Sequence, residues 1–175
     1  MVASCVSTSS SSLRTPTLAL PVKLALRGES ALPAVLFVPD VPRHARAQLL
    51  EDVRQLLEQE RDFLPVEMEG ALTLINRAAI AFVAVARRPP GLVGAFADEE
   101  LSDVHTLFDH RCGVLITLVD ARTLRGALLF SSSADRARLI DFVNVSPRFL
   151  ALWRTEELVL VQRQAIRSIV EAPEP

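Results

Sequence analysis

The stretch FLPVEMEGALTLINRAAIAFV, residues 63–83, returns in altered form as FLALWRTEELVLVQRQAIRSI, residues 149–169. No gap is needed to align them, and the opening Phe-Leu, the Leu-x-Leu pair, the Arg and the Ala-Ile pair all coincide. A further match lies upstream, where residues 46–51 resemble residues 136–141. A repeat of this length predicts that the chain consists of two copies of one structural unit.

Each copy is predicted to contain strands and one helix. Alternating apolar and polar residues indicate the strands, and apolar spacings of three and four predict helices over residues 43–61 and 134–144. Residues 72–85 and 157–170 are each expected to form one long strand. The predicted fold class is therefore α+β, with two tandem pseudo-symmetric units. Each unit is expected to be a β-hairpin, a helix and a second β-hairpin that form a small bent sheet or partial barrel.

Breaks in composition suggest where the units begin and end. The first residues are rich in Ser and Thr, and Pro89-Pro90-Gly91 stops strands and helices alike. The predicted organisation is a disordered leader at 1–17, a first unit at 18–86, a linker with a possible short helix at 87–112, a second unit at 113–171 and a tail at 172–175.

Composition limits the function classes. The chain has 175 residues, of which 50% are apolar, so two small units are expected to bury surface against each other. With 19 basic and 21 acidic residues, its charge does not favour a general nucleic-acid binder. No apolar run is long enough to predict a membrane span, and the first residues do not predict a secretory signal. Two cysteines agree with a reducing compartment, so a cytoplasmic location is expected.

Parts of the chain resemble the signatures of Sm-like barrels. Residues 118–128, LVDARTLRGAL, are similar to the first signature, in which a strand, an Asp-containing turn and a Gly-containing bent strand follow one another. Residues 160–169 and 74–83 are similar to the second signature, with apolar residues before an Arg and an Ile after it. The resemblance implies a small barrel that binds RNA or another ligand. Ser131-Ser132-Ser133 stands where RNA-binding members have Asp and Asn.

Two arginines occupy matched positions in the repeat. Arg77 and Arg163 each follow a polar amide residue, Asn76 and Gln162, inside an apolar run. One hypothesis is that these four residues bind a phosphate, a carboxylate or an acidic side chain. The alternative is structural, because a duplicated fold retains its stabilising contacts in both copies. In that case the arginines form salt bridges to the matched helix acids, Glu51 and Asp141.

The residues that break the repeat are the candidates for binding a partner. Trp153 and Arg154 have no aromatic-basic counterpart in the first copy, and Leu107 and Phe108 lie in the linker. Exposed aromatic and arginine side chains often anchor protein interfaces. These four residues are therefore predicted to bind a partner, although a core position is the common alternative for such aromatics.

Catalytic and metal-binding patterns are weak. His105, Asp109, His110 and Cys112 lie close in sequence, but no Cys-x-x-Cys or His-x-x-x-His pair accompanies them. Cys112 with His110 would be a nucleophile and base only if a third group oriented them. No phosphate-binding glycine loop and no Ser-His-Asp order occurs. The sequence predicts no metal, no cofactor and no enzymatic activity.

The predicted function is that of a non-catalytic protein-interaction or regulatory adaptor in a bacterial cytoplasm. Lys23 is the only lysine beside many arginines, which is typical of a GC-rich bacterial genome. A protein partner is expected to bind in the groove between the units or along an exposed strand edge. The alternative is an Sm-like ligand-binding or RNA-binding module that uses the matched arginines. Nucleic acid is thus a possible partner, though not the favoured one, and no membrane interaction is expected.

Overall fold

The computed structural model describes residues 16–40, 46–87, 108–131 and 138–173. The first half of the chain supplies five strands and a helix: β1 (Thr17–Leu26), β2 (Leu32–Pro39), α1 (Arg46–Glu58), β3 (Phe63–Met68), β4 (Ala71–Asn76) and β5 (Ile80–Ala86). The second half supplies the same series: β6 (His110–Leu118), β7 (Thr123–Phe130), α2 (Leu139–Val145), β8 (Phe149–Trp153), β9 (Glu157–Gln162) and β10 (Ile166–Glu171).

All ten strands belong to one antiparallel sheet. Its order is β10-β6-β7-β8-β9-β5-β1-β2-β3-β4. The five strands of each half have the same relative order, since adding five to each strand number converts the first half into the second. The halves meet where β5 pairs with β9, with Val83 opposite Leu160. The strands β4 and β10 therefore form the two edges of the sheet.

The prediction of an α+β fold built from two β-hairpin–helix–β-hairpin units is wrong. Within the described residues the chain is mostly strand, with two helices beside a single ten-stranded sheet. The error arises at the two long strands expected over residues 72–85 and 157–170. Each is interrupted by a 3₁₀ turn, at Arg77–Ala79 and at Arg163–Ala165. The chain after each turn crosses to β1 or β6 instead of continuing the hairpin.

Local sequence explains the individual strands. In β1 the buried residues Leu20, Val22 and Leu24 alternate with exposed ones, which is the period of a strand with one face in the core. In β5 every residue from Ile80 to Val85 is buried, as expected for a strand in the middle of a sheet that is covered on both faces. Strand pairing thus places the least polar strand at the junction of the halves.

Turn chemistry sets the register of the β3–β4 hairpin. Glu69 and Gly70 both have positive φ, 52° and 77°, which is the backbone of a type I′ turn. Met68 pairs with Ala71 beside this turn, so Glu69 and Gly70 are its two central residues. Glycine adopts this backbone without strain, whereas Glu69 does so at a cost.

Two groups of buried residues form the core, and both draw on both halves. In the first, Leu49, Val53 and Leu57 of α1 pack with the first-half strands and with Phe149 and Leu160 of the second half. The apolar spacing along α1 is the one the sequence predicts, although the helix is shorter than residues 43–61.

The second group centres on the second-half strands. It contains Ile116, Leu128 and Val161, together with Ala81 and Phe82 from β5. Because each group includes residues of the other half, the halves share their buried surface.

Several outer boundaries of the sequence prediction fall outside the described residues. The leader up to residue 15, the short helix expected in the linker and the start of the helix expected over 134–144 all lie there. Where the structure describes the ends, β1 begins at Thr17 and α2 spans Leu139–Val145.

Candidate functional site

A largely apolar cavity lies where the two halves meet. Its volume is about 480 Å³, and it opens between α1, α2 and the β8–β9 hairpin. Residues on α1 and on the second half share the lining, which includes Leu50, Arg54, Phe108, Phe142, Ala151 and Trp153. The cavity is therefore a feature of the assembled chain and not of either half alone.

Trp153 occupies the end of β8, where it is half-buried at the cavity. Its main chain pairs with Leu158 on one side and with Ala127 on the other. Gly126 precedes Ala127 on β7. A side chain at this position would not fit, because its Cβ would lie 2.6 Å from the Trp153 carbonyl oxygen. Glycine at position 126 thus lets β7 and β8 approach closely beside the indole.

The two charged residues in the cavity lining are bonded to each other. The guanidinium of Arg54 donates to Glu51 through Nη2 at 2.6 Å and through Nε at 2.8 Å. Hydrogen bonding to Arg54 lowers the pKa of Glu51, and the same contact raises the pKa of Arg54. Both groups therefore stay ionised and paired near neutral pH, and the rest of the lining offers mainly apolar contact.

The four predicted partner-binding residues divide into three groups. Trp153 and Phe108 are brought together, since both line the cavity. Arg154 is exposed, and its Nη1 donates to Glu157 Oε1 at 2.5 Å. Leu107 lies outside the described residues. The repeat-breaking aromatics thus converge on one site.

Arg87 is a residue at this site that the sequence did not single out. Its guanidinium carbon lies 6.0 Å from the centre of the Trp153 ring. Nη1 also donates to the carbonyl oxygens of Arg154 at 3.2 Å and Thr155 at 2.9 Å. The signal that the sequence offers for Arg87 is its position just after β5. This position comes near β8 because β5 pairs with β9, and β9 pairs with β8.

The guanidinium of Arg77 is committed to main-chain carbonyls. Arg77 is 1% exposed, and it donates to Phe63 O at 2.8 Å, to Leu56 O at 3.2 Å and to Arg61 O. These carbonyls belong to the last turn of α1, to the connection that follows it and to the start of β3. Burial, followed by repulsion from nearby Arg148 and Arg61, lowers the pKa of Arg77. Arg77 thus ties the helix end to the 3₁₀ turn.

Arg163 does the same at the corresponding place in the second half. Its Nη1 donates to Val143 O at 3.3 Å, to Asn144 O at 3.2 Å and to Ser146 O, at the end of α2. The side chain is half-buried, so it is more accessible than Arg77. Both arginines therefore bond carbonyl groups that the helix itself leaves unpaired.

The salt bridges to Glu51 and Asp141 proposed for these arginines are not what the structure shows. Both guanidinium groups donate to carbonyl oxygens, and Glu51 pairs with Arg54. The two arginines do make a structural contact in both copies, but they cap a helix end and do not form an ion pair within the described residues.

The two amide residues beside the arginines have different positions. The Asn76 side chain accepts a hydrogen bond from Ala78 N at 2.8 Å and so begins the 3₁₀ turn. Gln162 is 1% exposed; its Nε2 donates to Arg77 O at 2.8 Å, and its Oε1 accepts from Arg27 at 2.5 Å. Gln162 therefore links the two halves, and the four residues of the ligand-binding hypothesis do not form one shared surface.

The residues considered for metal binding or nucleophilic chemistry are placed as follows. The His110 ring lies 5.3 Å from the Phe130 ring, and half-buried Cys112 has its Sγ 3.7 Å from Gly113 O. His105 lies outside the described residues. In the parts of the chain that the structure describes, no three His, Cys, Asp or Glu side chains come together as a metal site would require.

A second inter-half contact joins the turns at one end of the sheet. Asp120 accepts hydrogen bonds from Gly28 N at 2.9 Å and from the Arg122 guanidinium at 2.5 Å and 3.0 Å. Arg122 in turn donates to Leu26 O at 2.8 Å and to Glu29 O. The hydrogen bonds from the Arg122 side chain, followed by those from the two main-chain amides, hold the pKa of Asp120 well below its usual range.

Comparison of the chain with protein-family models, with curated proteins and with solved structures gives no significant match. Among the described residues, neither helix has both the length and the apolar character that crossing a membrane requires.

Proposed function

We propose that this protein is a non-catalytic adaptor that binds an apolar segment of a partner protein in the cavity between α1, α2 and the β8–β9 hairpin. The observation that carries the proposal is the convergence of Trp153 and Phe108 on a 480 Å³ cavity. Both residues lack counterparts in the repeat, so the need to fold two similar halves does not account for them.

The chemistry of the lining favours apolar side chains as the occupant. Leu50, Leu129 and Leu158 are buried around the cavity, and the two charged groups of the lining neutralise each other. Trp153 and Arg87 at the rim are of the residue types that anchor protein interfaces. The proposed partner therefore inserts one or two apolar side chains, and we place this interaction in the cytoplasm.

The test uses Trp153 as its own reporter. The chain has one tryptophan and no tyrosine, so the chain's own emission, excited at the indole band, comes from Trp153. A photo-cross-linking residue at Pro147, an exposed member of the lining, captures the partner from lysate of the host. The captured protein is then purified and titrated against the unlabelled chain. We expect its binding to shift the Trp153 emission.

A cavity-filling variant supplies the decisive comparison. Ala151→Phe places a ring into the space from the half-buried middle of β8, and we expect it to weaken binding roughly tenfold or more, about 1.4 kcal/mol. Thr123→Phe adds the same ring at an exposed position on β7 and serves as the matched control. Equal affinity of the two variants would refute the proposal, as would capture of a small apolar molecule instead of a protein.

The RNA-binding alternative stays a prediction. Arg77 is buried and donates to carbonyl oxygens, so its guanidinium is not accessible to a phosphate, whereas half-buried Arg163 donates to carbonyl oxygens through Nη1. Nuclease treatment of the lysate separates the two hypotheses. Loss of the captured partner after nuclease, together with binding that weakens as salt rises, would support the alternative.

A further inference from the structure

The two edges of the sheet are complementary to each other. Within the described residues, β4 pairs with β3 and β10 pairs with β6, and each presents an open side. An open edge carries unpaired main-chain donors and acceptors, which form a template for another strand. Both edges lie far apart in the strand order, at opposite ends of the sheet.

The contact that joins the two halves shows how such edges fit. Here β9 pairs with β5 over five residue pairs, from Phe82 opposite Val161 to Ala86 opposite Glu157. In the strand order, β9 of the second half corresponds to β4 of the first, and β5 corresponds to β10. The β5–β9 contact is therefore made by the counterparts of the two open edges.

Exposed leucines on β4 correspond to buried leucines on β9. Leu158 and Leu160 are 3% and 0% exposed because they pack against the first half. Their counterparts in the repeat, Leu72 and Leu74, are 69% and 65% exposed. Large exposed apolar residues in a row on an edge strand indicate a surface that another protein covers.

The residue that opens the repeat shows the same asymmetry. Phe149 is 1% exposed, and its N–H donates to Glu58 at the end of α1 at 2.7 Å. Its counterpart Phe63 is 53% exposed. The β3–β4 hairpin thus exposes the counterparts of the three apolar side chains with which the β8–β9 hairpin packs on the first half.

A groove that could receive this hairpin lies beside β10. Its volume is about 400 Å³, and it runs between α2 and β10, with Ile166 and Ile169 in its lining. Their counterparts in the first half, Ile80 and Val83, are fully buried in the group of residues that contains Phe149. Asn144 also lines the groove, at the end of α2, and the corresponding position at the end of α1 is Glu58.

We propose that a second copy of this chain docks its β3–β4 hairpin on the β10 edge, repeating between molecules the β9–β5 contact within each molecule. The internal register then places Leu74 opposite Ile169, Leu72 opposite Glu171 and Ile75 opposite Ser168. Phe63 of one copy enters the groove beside α2 of the next. The contact is head-to-tail, so it leaves one free edge of each kind on every dimer.

The β10 edge is more polar than β5, and this difference lowers the expected affinity of the contact between molecules. Arg167 and Glu171 stand where β5 has Ala81 and Val85. The intermolecular contact is therefore weaker than the internal one and depends on protein concentration. Repeated head-to-tail contacts close into a ring or extend as a filament, according to the rotation between successive copies.

The test is the mass of the full-length chain in solution, measured by sedimentation and by light scattering over about 1–500 µM, the range in which contacts of moderate affinity form. We expect masses that are multiples of 19.2 kDa and that decrease on dilution. A wild-type chain that stays at 19.2 kDa throughout this range would overturn the proposal.

Two variants each block one edge. Leu72→Arg with Leu74→Arg places charge on β4 at exposed positions. Glu171→Pro removes a main-chain donor from β10; because Ala172 N donates to Gly113 O on β6, the N–H of Glu171 points to the open side. We expect each to raise the dissociation constant at least roughly tenfold. Leu32→Arg, on the interior strand β2, is the control that should not change it.

Mixing the two blocked variants tests the direction of the contact. Each retains the edge that the other lacks, so a mixture is expected to form a 1:1 dimer and nothing larger. A contact between two β4 edges would instead leave Glu171→Pro fully associated, and that result would refute the head-to-tail arrangement. Circular dichroism of every variant checks that the fold is retained.

Discussion

At the scale of single residues, a few polar side chains hold the two halves in place. Asp120 accepts from the first-half turn at Gly28, and Gln162 bonds the carbonyl of Arg77. Glu58 accepts from the main-chain amides of Arg148 and Phe149. A carboxylate or amide that bonds main-chain groups across an interface fixes its register more strictly than apolar packing alone.

Asp120→Asn is expected to destabilise the protein in a pH-dependent way. The folded-state pKa of Asp120 lies below its unfolded-state value of about 3.9, so its stabilisation is present above that pH. It is lost as the pH falls toward the folded-state pKa. We expect the substitution to cost about 1–2 kcal/mol at pH 7, and the difference from wild type to shrink below about pH 4.

Urea denaturation at a series of pH values measures this difference. Asp109→Asn is the matched control, because Asp109 is an exposed carboxylate on the segment that precedes β6. A loss for Asp120→Asn that stays constant from pH 7 to about pH 3 would show that the carboxylate charge does not stabilise the folded state.

At the scale of elements, the 3₁₀ turns decide the course of the chain. Each ends one strand and sends the next one to a different neighbour in the sheet, and each begins with an arginine that caps a helix. The turn, the arginine and the helix end therefore act as one unit, and the stability of that unit depends on how deeply the arginine is buried.

Arg77→Met is expected to cost more stability than Arg163→Met. Methionine keeps the apolar stem but leaves the carbonyls of Leu56, Arg61 and Phe63 without their donor in a buried place. We expect a loss of about 2–4 kcal/mol. The carbonyls around half-buried Arg163 are more open to water, and about 1 kcal/mol is expected there. Denaturant midpoints at equal m-values measure both losses, and equal losses would contradict the difference in burial.

Sequence patterns predicted the hairpins and the helix spacing but not these turns. The run from Leu72 to Val85 contains no glycine or proline, so alternation alone predicts one strand. The polar pair Asn76-Arg77 was the available signal. Whether this pair interrupts the strand depends on the hydrogen-bond acceptors of Arg77, which lie on α1 and β3. Local periodicity does not encode such contacts between separate segments.

The candidate site was predictable only in part, for the same reason. The absence of a counterpart in the repeat singled out Trp153 and Phe108, and the structure places both in the lining of one cavity. Arg87 and the α1 residues of the lining join them through the β5–β9 pairing. That pairing connects segments more than seventy positions apart in the chain, so no local pattern could assign these residues to the site.

At the scale of the whole molecule, the shared cores decide how the chain unfolds. The group around α1 contains Phe149, Leu158 and Leu160, and the group in the second half contains Ala81 and Phe82. Neither half can therefore lose its structure without exposing buried surface of the other. The polar contacts of Asp120, Glu58 and Gln162 cross the same junction.

We therefore expect one cooperative unfolding transition, with equal calorimetric and van't Hoff enthalpies. Leu24→Ala in the first half and Ile116→Ala in the second should both lower this single transition, each by about 2–5 kcal/mol. Trp153 emission and far-ultraviolet circular dichroism should follow the same curve at low protein concentration. Two separate transitions, with each substitution lowering only one of them, would show that the halves fold independently despite their common sheet.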